Sequence, residues 1–285
     1  MATLKQIRQR IRAAKNIQQI TKAMKLVAAA RLKKATDRVL EARPYADKLK
    51  DIMTSMSASG SLPSHPLLTK REVNNVLVIV LTSDRGLAGA FNTSILRKAT
   101  DFMKTFEGKP VKMITYGKKA NQFFSKRGYN VVDTYSAPSA GAQLTDAVSL
   151  TRKAQELFES GEVDAVYVVY SKFISAIRQI PQTVQLLPIE APATEGGSFG
   201  GEVEFEPSAD VVLNILLPRY FQTLVWQSML ESTASEFGAR MSAMTAATDN
   251  AGKMIHTLTL KANRERQAAI TKEILEVVGG AEALN

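Results

Sequence analysis

The stretch Ser83-Asp84-Arg85-Gly86-Leu87-Ala88-Gly89-Ala90 follows a strand-like run and precedes a helical one. A doubly wound α/β fold holds a phosphate at such a turn, on the free N–H groups of a helix N-terminus. The stretch has neither G-x-G-x-x-G nor G-x-x-x-x-G-K-[ST]. Any tight strand-to-helix turn needs small residues, so its glycines read as packing, with Asp84 and Arg85 orienting the turn. The chain has no cysteine, which excludes disulfides, thiolate metal sites and a cysteine nucleophile. Its two histidines, His65 in a proline-flanked loop and His256 beside Ile255, read as structural rather than as metal ligands. Nucleophile elbow, paired catalytic carboxylates and metal-ligand spacing are all missing. The expectation is therefore no catalytic residue, metal or cofactor on this chain.

Charge offers a different kind of chemistry. Of 285 residues, 37 are Lys or Arg and 27 Asp or Glu, a net charge of +10. Residues 1–58 hold 14 of the bases and 4 of the acids, and the remainder of the chain holds 23 of each. Attraction to an acidic protein surface or a polyanion must come mainly from that first segment. No acid precedes Asp37, which resembles a transit peptide, but the apolar pattern runs on past the point where such a peptide would be removed. The longest apolar runs, Val76–Leu81 and Ile215–Leu217, fall far short of the ~18 residues of a membrane span.

The elements that must carry these residues fall into three parts. No Pro or Gly occurs before Pro44, and Leu4, Ile7, Ile11, Ala14, Ile17, Ile20, Met24 and Val27 recur every three or four residues. Leu32, Ala35, Val39, Ala42, Ala46, Leu49, Met53 and Met56 continue the pattern, so residues 1–57 read as one long amphipathic helix with a coiled-coil seam, bent near Pro44. At ~1.5 Å per residue it would extend roughly 85 Å, too long to bury in its own core. A second seam runs through Leu230, Ala234, Phe237, Met241, Met244, Thr248, Ala251, Ile255, Leu258 and Ala262.

Between the two helices the period changes. Residues 75–83, 111–116, 129–134, 165–173 and 182–189 read as strands, and 90–105, 118–127 and 142–160 as helices between the first four. Near-continuous apolar character in the first and fourth strands predicts burial on both faces. The fold class is α/β: a long antiparallel coiled coil of terminal helices plus a central Rossmann-like domain. The expected boundaries are 1–60, 61–207 and 208–285, with 191–207 as an exposed loop and Ser208 as the N-cap of the last helix.

Three ordered motifs identify a family. The run Ile17-Gln18-Gln19-Ile20-Thr21-Lys22-Ala23-Met24-Lys25-Leu26-Val27-Ala28-Ala29, the turn Ser83–Asn92 and the C-terminal Ile270-Thr271-Lys272-Glu273-Ile274-Leu275-Glu276-Val277-Val278-Gly279-Gly280-Ala281 together resemble the gamma subunits of bacterial F-type ATP synthases. The loop 191–207 lacks the cysteine pair of chloroplast forms.

That resemblance implies a central rotor shaft, transmitting torque between a membrane c-ring and a catalytic hexamer of three alpha and three beta subunits. It implies one copy per complex, a docked epsilon subunit, proton coupling and nucleotide bound only by the alpha and beta partners. Peripheral attachment to the cytoplasmic face of the bacterial membrane would follow, through partners alone. By the same resemblance Arg266, Gln267 and Thr271 match positions that touch the catch loops of beta. Lys22, Met24 and Lys25 match the facing part of the N-terminal helix, set against an acidic lever segment. Phe205, Glu206 and Pro207 match the segment abutting the c-ring. The competing reading is a basic coiled-coil adaptor for nucleic acid or an acidic protein, which would show a steep salt dependence.

Overall fold

The computed structural model describes residues 3–58, 65–190 and 209–282. In chain order these form α1 (Leu4–Ala58), a 3-10 turn (Pro66–Leu68), β1 (Val76–Leu81), α2 (Phe91–Lys104), β2 (Val111–Tyr116) and α3 (Lys118–Ser125). Then follow β3 (Asn130–Tyr135), α4 (Leu144–Glu159), β4 (Ala165–Phe173), β5 (Gln179–Leu187) and α5 (Ala209–Glu282). The chain divides into two compact units, one of Met1–Ala28 with Met241–Asn285, the other Ala29–Arg240.

The larger unit is a three-layer α/β domain. Its sheet has the order β3-β2-β1-β4-β5, parallel except for the last strand. β1 is buried along its whole length and β4 at six of its nine residues, as expected of central strands covered on both faces. Helices α2 and α3 cover one face through Phe91, Ile95, Ala99 and Phe124. On the other face α4 packs with Leu49 and Met53 of α1 and with Leu213, Leu217, Phe221 and Val225 of α5. Strand β5 begins at Gln179, three residues before the sequence pattern suggests, and carries Pro181. A proline is tolerated there because β5 is an edge strand. Gly117 starts α3 at φ 95°, and a Cβ at that position would lie 2.3 Å from the Thr82 carbonyl oxygen, so the turn demands glycine. His65 is buried, and its Nδ1 accepts from the Leu67 N–H at 3.1 Å, the structural role expected of it. His256 lies exposed on α5.

The smaller unit is a pair of antiparallel helical segments. The Thr248 hydroxyl donates to Thr21 Oγ1 at 2.8 Å, and Gln18 Nε2 approaches Gly252, which sets the direction of pairing. Ile7 and Ala14 are buried at 1% and 3% exposure. Ile17 and Ile20 are 54% and 59% exposed, and Val27 is likewise outside. This corrects the expected stripe. The least exposed positions of its first segment run 7, 11, 14, 18, 21, 25 and 28, a strict alternation of four and three that keeps one seam facing its partner. Gln18, Thr21 and Lys25 hold seam positions, and the isoleucines one residue earlier turn outward. On α5 the expected series holds, with Met244 and Ala251 buried and Thr248, Ile255, Leu258 and Ala262 half-buried.

α1 passes through Pro44 without ending. The loop 191–207 and the proposed cap Ser208 lie outside the described residues.

Candidate functional site

The place where a doubly wound sheet binds a ligand is the crevice at the carboxyl ends of its strands, beside the point where strand order reverses. Here that point lies between β1 and β4. Helix α5 fills it. The Ser232 hydroxyl donates to the Leu81 carbonyl at the end of β1 (3.5 Å), and Ser235 donates to Ser171 of β4 (2.8 Å). The remaining void, lined by Thr82, Tyr116, Ser232 and Glu236 among others, measures ≈ 10 Å³. That is about the room of one water molecule.

The turn at residues 83–90 is held by its own atoms. Asp84 Oδ1 accepts from the backbone N–H groups of Lys118 (2.8 Å) and Ala137 (3.0 Å), joining the turns after β1, β2 and β3. Asn92 Oδ1 accepts from the Ser83 N–H at 3.0 Å, and the Ser83 hydroxyl donates to the Arg85 carbonyl at 2.6 Å. Leu87 sits at φ 63° with its side chain in solvent. Asp84 thus does the orienting expected of it. Arg85 takes part only through its carbonyl, and its side chain is exposed.

α5 is pinned to the same turn from above. Arg240 Nη1 lies 2.6 Å from Glu236 Oε1, and Nη2 donates to the Gly86 carbonyl at 3.2 Å. Burial pushes the Glu236 carboxyl up, with Arg240 opposing. On the α1 side, Arg38 Nη1 donates to the Ala142 carbonyl at 3.5 Å, and the Arg31 guanidinium lies 5.9 Å from the Phe237 ring centre. Such multiple polar anchors at a buried face specify one packing of helix on sheet, beyond what apolar contact alone fixes. The sequence missed Ser232, Ser235, Glu236 and Arg240, although the spacing 232, 236 and 240 places three of them on one face of α5.

The terminal residues predicted to touch partners form two stations. Lys22 is exposed, Met24 and Lys25 are half-buried, and all three lie beside the Thr21–Thr248 contact. Arg266, Gln267 and Thr271 lie 18 or more residues further along α5, at least ~27 Å away at 1.5 Å per residue. The two sets do not face each other. Following the Thr21–Thr248 register, Leu4 comes level with the region of residue 265. Every residue from Arg266 to Gly279 is exposed, so α5 extends there as a single helix. The Thr271 hydroxyl bonds only its own helix, donating to the Gln267 carbonyl at 3.0 Å. Phe205, Glu206 and Pro207 lie outside the described residues.

A family model described as ATP synthase matches residues 3–284. The ATP synthase gamma chain of Pelotomaculum thermopropionicum is 46% identical over 284 residues and covers the whole of both chains. The chain belongs to the ATP synthase gamma chain family. The gamma chain of Chloroherpeton thalassium, 47% identical over 303 residues, covers 100% of this chain and 99% of its own. Solved structures share the fold. A chain of the Euglena gracilis mitochondrial ATP synthase assembly of OSCP, F1 and c-ring superposes with TM-score 0.69 at 18% identity, covering 99% of this chain and 94% of its own. One from the central stalk and c-ring of Tetrahymena thermophila gives 0.61 at 22% identity, covering 80% and 99%. Membership as a gamma chain makes this a rotor subunit of an F-type ATP synthase, as the three sequence motifs imply, and not one of its catalytic subunits.

Proposed function

We propose that the chain works as a shaft, one copy turning inside a ring of three alpha and three beta subunits and driven from a membrane c-ring. The observation that carries this reading is the end of α5, left without a partner among the described residues, where Ile270, Ile274, Leu275, Val277 and Val278 all stand in solvent. Isolated helices are marginal in water, and an apolar stripe of this length calls for a surrounding surface. Arg266, Gln267 and Thr271 on that segment meet the catch loops of beta. Lys22, Met24 and Lys25 meet the acidic lever segments, where each exposed ion pair contributes under ~1 kcal/mol and weakens with salt. Phe205, Glu206 and Pro207 abut the c-ring, and the outer face of the α/β domain docks epsilon.

Nucleotide binds to alpha and beta, and the filling of the fold's usual ligand crevice by α5 supports its exclusion from this chain. Attachment to the cytoplasmic face of the bacterial membrane runs through partners, in keeping with the finding that no described helix is long and apolar enough to cross a membrane. An asymmetric shaft meets three chemically equivalent beta subunits in three ways and so makes their nucleotide affinities differ. By linkage, hydrolysis at those sites pushes the shaft round, and torque is a difference in contact energy between states.

Native mass spectrometry of this chain co-expressed with the alpha and beta subunits of its own organism tests the arrangement. One copy bound to three of each is expected, and a free chain beside an intact alpha–beta ring would sink it. Met24→Lys adds a cation at the first station, and the ratio of protons pumped to ATP hydrolysed is expected to fall. An unchanged ratio would remove Met24 from the contact.

A further inference from the structure

Two polar groups near the crevice that α5 fills have no hydrogen-bond partner among the described residues. Tyr116 ends β2 and is only 4% exposed, and its hydroxyl is shut off from solvent. Asp146 stands in the first turn of α4, and its Oδ2 is equally enclosed and equally unpartnered. One group is a donor and the other an acceptor, yet neither bonds the other directly. They are near enough to interact through charge: after burial itself, Asp146 is the strongest influence pushing the Tyr116 phenol up and keeping its proton in place, with Glu236 and Asp84 adding to it. A buried hydroxyl or carboxylate oxygen without a partner is costly, and in folded proteins such atoms are met by an ordered water where space allows. The space is present here. Tyr116 lines the ≈ 10 Å³ void against α5, with Thr82, Ala142, Ser232 and Glu236 around it, and Ala142 precedes Asp146 by four residues.

We propose that this void is a binding site for one water molecule, which accepts from the Tyr116 hydroxyl and donates to Asp146, joining the end of β2 to the start of α4 under the cover of α5. Volume sets the class of ligand. The void holds about one water-sized sphere, so a phosphate or a nucleotide does not enter. The Ser232 hydroxyl spends its proton on the Leu81 carbonyl at 3.5 Å, and its oxygen keeps a lone pair for the water's second proton. A cation of similar radius is opposed by the donor set. The Tyr116 hydroxyl is neutral, and the Glu236 carboxylate lining the void is already paired with Arg240 at 2.6 Å. That leaves far fewer charged oxygens than the roughly six ligands a hard cation gathers. The site belongs to the fold of the chain itself and stands whether or not the shaft reading does.

The experiment is a high-resolution crystal structure of the full chain, with thermal unfolding of three variants beside it. One water peak is expected about 2.8 Å from Tyr116 Oη and within hydrogen-bond reach of the Asp146 carboxylate. Tyr116→Phe keeps the ring and removes the donor, so it is expected to lower Tm by about 2–4 °C and to abolish the peak. A dry void predicts the opposite, since the substitution would then delete a costly unmet hydroxyl, and an unchanged or raised Tm would overturn the proposal. Asp146→Ala loses a helix N-terminal charge as well as the bridge, so the double variant with Tyr116→Phe separates the two: it is expected to lose less than the sum of the single losses. Strict additivity would overturn the bridge. Crystals grown in rubidium chloride score the cation, and an anomalous peak in the void would overturn water as the ligand, as would a direct Tyr116–Asp146 bond in the map. Should a variant fail to fold, the parent map decides alone.

Discussion

Asp84 shows how one side chain can serve three loops. Its Oδ1 accepts two backbone N–H groups, those of Lys118 and Ala137, and charge-assisted bonds of this kind are stronger than neutral ones. Asp84→Ala is expected to cost about 2 kcal/mol in urea unfolding, because it strands donors that secondary structure does not satisfy. A cost under ~0.5 kcal/mol would show that water replaces the carboxylate freely. Glu231 is the opposite case. It is only 6% exposed, and its Oε2 has no hydrogen-bond partner. Burial raises its carboxyl above 4.5 against the lowering by Lys172, Tyr170 and Arg43. Between 4.5 and that raised value the folded chain holds the proton more tightly than the unfolded one, so stability falls as pH rises through the window. Glu231→Gln is expected to raise Tm relative to the parent at pH 8, and the advantage should vanish at pH 4. An equal difference at both pH values would count against a titrating origin.

At the scale of elements, the two terminal helices show what pattern reading finds and what it misses. Three- and four-residue spacing located both helices, yet Ile17 and Ile20 drew the seam one residue out of register, because apolar type outweighed strict period. The seam itself runs through Gln18, Thr21 and Lys25, whose polarity disguises it. The alternation, traced back from Val39, Ala35, Leu32 and Ala28, would have found them. Ile17 and Ile20 therefore contribute little to the helix pair and are free to contact other subunits. The double variant Ile17→Ser, Ile20→Ser is expected to leave the thermal stability of the isolated chain within ~0.5 kcal/mol of the parent. The same variant should bind more weakly to the alpha–beta ring in a pull-down titration. Destabilisation by several kcal/mol would return these side chains to the core. The strands and short helices of the α/β domain were legible to within a few residues, since buried parallel strands spell continuous apolar runs. The polar anchors of α5 were not, because Ser232, Ser235 and Glu236 acquire their partners only when distant segments meet.

At the scale of the molecule, family membership came from three motifs spread along the chain, and the fold gives them a shared physical setting. The central motif builds a turn that a helix seals, the N-terminal one turns apolar side chains outward, and the C-terminal one lies on the last stretch of α5, where Arg266 to Gly279 are exposed. Each is a surface or a brace. The measurement that bears most directly on the shaft reading is rotation itself. A bead is fixed to this chain in complexes immobilised through their beta subunits, and ATP is added. Turning in one direction, with one dwell for each beta subunit in every revolution, is the expected result. ATP hydrolysis at the normal rate with the bead stationary, on a chain shown to be seated in the ring, would contradict it.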